Sequence, residues 1–115
     1  MKKIYHLKTC STNQRILSEL NLDGVELQEI KTQAISEKQL EEMRTIAGSY
    51  ESLFSRKAMK YKSLGLKDKD LSEDDYKKYI LEEYTFLKRP VAIVDDQIFI
   101  GNAKAQVEAL TETLS

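Results

Sequence analysis

Hydrophobic positions form short strand-length runs near the two ends of this chain and helix-period stripes between them. Lys3 to Leu7 reads as a short strand, and Ile16, Leu17 and Leu20 then fall on one side of a helix that ends at the Asn21-Leu22-Asp23-Gly24 turn. Val25 to Ile30 places Val25, Leu27 and Ile30 among polar residues, which suits a second strand. A strand, a helix and a strand at this spacing make a βαβ unit, with parallel strands and a right-handed crossover.

Ser36 with Gln39 three residues later has the capping-box pattern, ahead of Leu40, Met43, Ile46 and Ala47 and a stop at Gly48. Tyr50 to Leu66 is less regular and predicts one or two short helices ending at Gly65. After the charged turn Lys67-Asp68-Lys69-Asp70, Ser72 caps another helix, with Glu73, Asp74 and Asp75 in its first turn. Its face of Tyr76, Tyr79, Ile80 and Tyr84 has helical spacing, so these tyrosines read as packing residues. The single proline, Pro90, precedes Val91-Ala92-Ile93-Val94, and Asp95-Asp96 turns the chain into Ile98-Phe99-Ile100-Gly101 as an antiparallel hairpin. Asn102 then stands ready to cap a final helix that buries Val107, Leu110 and Leu114. The fold class expected is α/β: a thioredoxin-like mixed sheet, βαβ … ββα, with a helical insertion at about 36–85 between its halves. Residues 1–115 form one such domain.

At 115 residues and 41% hydrophobic, the chain suits a single core. Eighteen basic and nineteen acidic residues leave a net charge of -1, which supplies no general field for nucleic acid or anionic lipid. No apolar run has the length of a membrane span, and Met1-Lys2-Lys3-Ile4 enters a strand without a signal peptide's apolar core, so a cytoplasmic protein is expected. One cysteine makes no internal disulfide, and one thiol with one histidine is too few soft ligands for an ordinary zinc site. Any disulfide must join this chain to another molecule.

That cysteine, Cys10, sits where the first strand runs into the polar cluster Thr9-Cys10-Ser11-Thr12-Asn13 at the start of a helix. The unpaired amides and positive dipole end of a helix stabilise a thiolate there. The alternative is a small buried apolar filler. Ser11, Thr12 and Asn13 have the side chains of helix caps, and with the first-turn amides they can cradle an anion beside Cys10. His6 lies on the strand face opposite Tyr5 and Leu7, so it approaches Cys10 only if the loop folds back. Arg56 adjoins Lys57, Arg15 lies one turn into the first helix, and Arg89 immediately precedes the proline, where backbone is forced to extended geometry. A guanidinium binds an oxyanion with a planar fork that lysine lacks.

Ile4-Tyr5-His6 leading to Cys10, then Leu53-Phe54-Ser55-Arg56-Lys57 with Tyr61 and Leu64-Gly65-Leu66, then Leu87-Lys88-Arg89-Pro90-Val91, form three motifs in order. With these the chain resembles the ArsC/Spx family of glutaredoxin-coupled arsenate reductases and Spx regulators over nearly its whole length. The resemblance implies that Cys10 is the nucleophile, that His6 is the neighbour that lowers its pKa, and that Arg56 and Arg89 hold an oxyanion. It further implies that Pro90 is the cis-proline that presents backbone to a thiol substrate. Gly101-Asn102 stands where the arsenate enzymes place a third arginine, and Asn13 stands where Spx regulators carry a second cysteine, so an internal disulfide switch is excluded.

The function expected is therefore that of an arsenate reductase-like thiol oxidoreductase acting on an oxyanion or a disulfide. It would bind no cofactor and would use an external thiol, glutathione or a thioredoxin or glutaredoxin partner. The alternative is a non-catalytic, Spx-like module that binds RNA polymerase. A third reading is a degenerate domain whose cysteine does no chemistry.

Overall fold

The computed structural model describes residues 1–115 and divides into two compact units, Met1–Ala34 with Arg89–Ser115, and Ile35–Lys88. The first unit is built on a four-stranded sheet of β1 (Lys2–His6), β2 (Glu26–Glu29), β3 (Val91–Val94) and β4 (Gln97–Ile100), in the order β2-β1-β3-β4. β1 pairs with β2 in parallel, and β3 runs antiparallel to both β1 and β4, so the sheet is mixed as the hydrophobic pattern predicts. Helices α1 (Ser11–Glu19) and α5 (Lys104–Leu114) complete the unit.

One core of this unit gathers Ile4 of β1, Ile16 from α1 with Leu20 at its C-cap, Ala92 and Val94 from β3 and Leu110 and Leu114 from α5. Fully burying a side chain of Ile or Leu size is worth about 1.5–3 kcal/mol, so this cluster fixes how α1 lies on the sheet and hence where its first turn falls. The β3–β4 hairpin turns at Asp95-Asp96, where Asp95 adopts φ +55°, a conformation that a short polar side chain tolerates.

Two details depart from the sequence pattern. In β2 the buried residue is Gln28, 2% exposed, while Leu27 is 43% exposed. The Gln28 amide is held inside because its Nε2 donates to the carbonyls of Gln33 and Ala34 at 3.1 and 3.5 Å. At the other end Ala103, not Asn102, is the N-cap of α5. The helix begins one residue later than expected, and Gln106 in its first turn reaches back to accept from the Ile100 N–H at 3.0 Å.

The second unit contains α2 (Glu37–Ala47), α3 (Met59–Ser63) and α4 (Glu73–Glu82) with short 3-10 turns between them. Ser36 with Gln39 and Ser72 with Asp75 both form the reciprocal capping box, and Gly48 closes α2 in the left-handed conformation at φ +97°. Its interior is aromatic: the Phe54 ring stacks on Phe86 at 5.1 Å and meets Tyr76 at 4.9 Å. Strand-like bonds from Ser55 N–H to the Phe86 carbonyl (2.7 Å) and from Lys88 N–H to the Leu53 carbonyl (2.8 Å) tie the two segments that carry those rings.

Candidate functional site

The thiol loop begins where β1 leaves the sheet. The β1–β2 ladder ends at His6↔Glu29, and the His6 carbonyl still accepts from Ile30 N–H at 2.9 Å. Leu7 then turns the chain: its carbonyl accepts from Cys10 N–H at 3.1 Å, so the loop folds back within four residues. Cys10 itself is the N-cap of α1, its carbonyl taking the first helical bond from Gln14 N–H at 3.0 Å. Its side chain makes no cap bond, and it is half-buried. The sulfur is thus held at the helix start without being consumed by it.

The expected caps do something else. Asn13 is 1% exposed, and its Oδ1 accepts from Leu7 N–H at 3.0 Å instead of from a first-turn amide. Its Nδ2 donates to Cys10 Sγ at 3.5 Å. Ser11 is exposed and Thr12 half-buried in the first turn of α1, which has no side-chain cap. The cap that the serine-threonine-asparagine run promised is absent because the N-cap position falls on Cys10, one residue before that run.

Glu29, at the end of β2, holds the loop from the other side. Its carboxylate accepts from the N–H groups of Lys8 (2.9 Å), Lys31 (3.0 Å) and Thr32 (2.8 Å) and from the Thr32 hydroxyl (2.9 Å). Partial burial pushes its pKa up, but the bonds from the Thr32, Lys8 and Lys31 amides and the Thr32 hydroxyl outweigh that and bring it down to about 2. Gln14 completes the frame by donating its side-chain amide to the Lys8 carbonyl. The His6 imidazole has its Nδ1 buried without a hydrogen-bond partner. Burial lowers its pKa below 6.5, against the opposing pull of Glu29, so the ring is neutral at neutral pH.

β3 starts at the sheet end where β1 finishes, its first residue Val91 pairing with Tyr5. Arg89, half-buried, and Pro90, buried, therefore arrive at the Cys10 end of the sheet. The Arg89-Pro90 bond is cis, and the Pro90 carbonyl accepts from Gly101 N–H at 2.8 Å.

Arg56 belongs to the second unit, in the turn between Phe54 and α3. Its Nη2 donates to Glu51 Oε2 at 2.8 Å and to the Tyr76 hydroxyl at 3.0 Å, and that hydroxyl donates to the same Glu51 oxygen at 3.3 Å. The guanidinium also lies over the Phe54 and Tyr76 rings, 6.0 and 5.7 Å from their centroids. The Glu51 carboxylate raises the Arg56 pKa, and Arg56, then Tyr76, lowers that of Glu51. Tyr76 is a packing residue as its spacing predicts, and an arginine partner besides. Arg15 is exposed and pairs with Glu19 at 3.5 Å.

Gln14, Glu29, Glu51 and Tyr76 were not legible as parts of these frames. Glu29 came nearest, as an acid at a strand end followed by Lys31-Thr32, but nothing local tells that its other oxygen reaches Lys8. No group of three or more His, Cys, Asp or Glu side chains is placed to hold a metal ion, and no helix is long and apolar enough to cross a membrane.

The sequence matches the ArsC family over residues 5–110. Among solved structures, arsenate reductase from Vibrio cholerae is 24% identical with a TM-score of 0.79, the match covering 95% of this chain and 96% of that one. A possible arsenate reductase from Streptococcus mutans is 25% identical with a TM-score of 0.73, covering 96% and 97%. A Staphylococcus aureus protein is 26% identical with a TM-score of 0.73, covering 95% and 97%. No curated protein matches the sequence. Together these matches span both the thiol loop and the hairpin that carries Pro90.

Proposed function

The chain belongs to the ArsC family, and on that premise we propose that it is a thiol-dependent oxidoreductase whose one nucleophile is Cys10. The observation that carries this reading is the place of the sole thiol: half-buried at the N-cap of α1, with a side chain that caps nothing. A sulfur so placed sees the positive end of the helix and remains open to a substrate.

Two substrates suit a thiolate there. Against a disulfide, Cys10 forms a new S–S bond while the substrate's own S–S bond breaks and one thiolate leaves. Against an arsenic(V) oxyanion, the sulfur forms an S–As bond and an oxygen leaves as water. An external thiol such as glutathione then attacks the sulfur of that adduct, the S–As bond breaks, and its electron pair reduces arsenic to the trivalent state. Either route leaves Cys10 in a mixed disulfide, which a further external thiol, or a glutaredoxin or thioredoxin partner, reduces. The arsenic route oxidises two external thiols for each turnover, while the disulfide route exchanges one external thiol for one released from the substrate. Arg89 is the oxyanion contact of this unit, with the Ser11 and Thr12 amides in the first turn of α1 adding their dipole. His6, neutral at neutral pH, supplies no fixed positive charge to the thiolate.

The test is intact mass after exposure to oxidised glutathione and, separately, to arsenate with reduced glutathione. One glutathione adduct on Cys10, absent from Cys10→Ser, is expected, and in turnover assays that substitution leaves no thiol-dependent reduction. An unmodified Cys10 under both conditions, with co-purifying RNA polymerase subunits, would replace this reading with that of an interaction module.

A further inference from the structure

We propose that Asn13 is a positioning residue that holds the Cys10 sulfur and favours its charged form; the inference rests on the reading of Cys10 as the nucleophile. The orientation of the carboxamide is forced by its surroundings. Leu7 N–H is the first amide beyond the β1–β2 ladder, on a residue only 7% exposed, and a backbone amide can only donate. Asn13 Oδ1 answers it at 3.0 Å, so the other arm of the carboxamide is the NH2 group, and that arm meets Sγ at 3.5 Å. A donor aimed at sulfur is bound weakly by a neutral thiol and well by a thiolate, because hydrogen bonds to a charged acceptor are roughly twice as strong as neutral ones. Burial of Asn13, 1% exposed, keeps water from competing for its own NH2 group.

The same side chain therefore ends β1 and aims the thiol. Its place three residues after Cys10 is where an internal resolving thiol would have stood. A carboxamide there cannot attack a mixed disulfide, so the adduct persists until an outside thiol arrives, while Sγ keeps a donor beside it.

Asn13→Asp keeps an acceptor for Leu7 N–H but replaces the donor toward Sγ with a like charge. Asn13→Ala removes both and serves where the buried carboxylate impairs folding. The readout is the rate of Cys10 alkylation by iodoacetamide at about pH 6.5 and about pH 10, since a thiolate that forms less readily is also the stronger nucleophile once formed. The ratio of the low-pH to the high-pH rate is expected to fall about tenfold in Asn13→Ala, the effect of losing one charge-assisted bond, and further in Asn13→Asp, where like-charge repulsion adds to it. A melting temperature that drops while the ratio changes by less than about threefold, the imprecision of assigning one bond's worth, makes Asn13 a strand-end fixture only and overturns the proposal. Alkylation needs no substrate, so a protein that lacks reductase turnover but shows the fall in ratio refutes the function proposed above and leaves this inference standing.

Discussion

The thiol loop and the Arg56 turn are built from the same materials, a short irregular segment ahead of a helix and a carboxylate from elsewhere in its own unit, and they spend that carboxylate differently. In the loop, Glu29 takes the backbone amides of Lys8, Lys31 and Thr32, so the charge is used to fix main chain and the Cys10 side chain lies outside its bonds. In the turn, Glu51 takes the guanidinium itself, and Tyr76 closes the triangle. A carboxylate that ties down backbone frames a functional group; one that ties down the functional group competes with any anion that group would bind. The thiol loop keeps its sulfur outside the carboxylate's bonds, and the arginine is already paired.

The contrast breaks most visibly if Glu29 loses its charge. Its folded pKa of about 2 lies below the ordinary 4.5, so the carboxylate's contribution is fully present above about pH 4.5 and is lost as pH falls through 2. Glu29→Gln is expected to cost about 1–2 kcal/mol at neutral pH, its bonds to amides being partly screened at a half-exposed position. The parent and variant stabilities, from urea unfolding at a series of pH values, should draw together below about pH 4.5 and converge once the pH falls below about 2. Amide hydrogen exchange at Lys8 and Thr32 should quicken in step. A variant that stays equally far below the parent down to pH 2 would mean that the side chain's packing, not its charge, holds the loop.

Glu51→Gln tests the opposite half. With the competing charge removed, Arg56 should bind sulfate about two- to fivefold more tightly, the range set by exposed ion pairs. The Arg56 side-chain N–H resonances, followed through a sulfate titration, report it directly. Unchanged affinity would mean that Glu51 does not compete and that the turn's pairing is structural alone.

These frames also mark the limit of what the sequence discloses. Ser36 with Gln39 and Ser72 with Asp75 were readable because a capping box closes over three residues, and the βαβ opening and the β3–β4 hairpin because period and turn residues are local signals. Cys10 stood out for the same reason, a thiol at a strand-to-helix junction. Glu29 to Lys8 spans 21 positions and Tyr76 to Glu51 spans 25, and no local pattern encodes which distant carboxylate reaches which donor. Asn13 was visible as a polar residue at the right place, but the expected cap gave way to Leu7 N–H, a donor orphaned only once β1 has paired with its neighbours. What the chain does not announce is where a strand's last unpaired amide will be.

β2 supplies the finest test, because it carries Glu29 and misleads at Leu27. Pattern reading buries Leu27, yet the chain buries Gln28 to satisfy the carbonyls of Gln33 and Ala34, and Leu27 is left 43% exposed on an edge strand. Leu27→Thr keeps β propensity and gives up little buried area, so its effect on stability should fall within about 0.5 kcal/mol. Cys10 alkylation should not change at all. If Leu27→Thr loosened the thiol loop as Glu29→Gln is expected to, the loop would depend on the strand as a whole, and the distinction between a carboxylate that frames and a carboxylate that competes would lose its first term. If it does not, the hold on the loop is localised to one side chain at the end of β2.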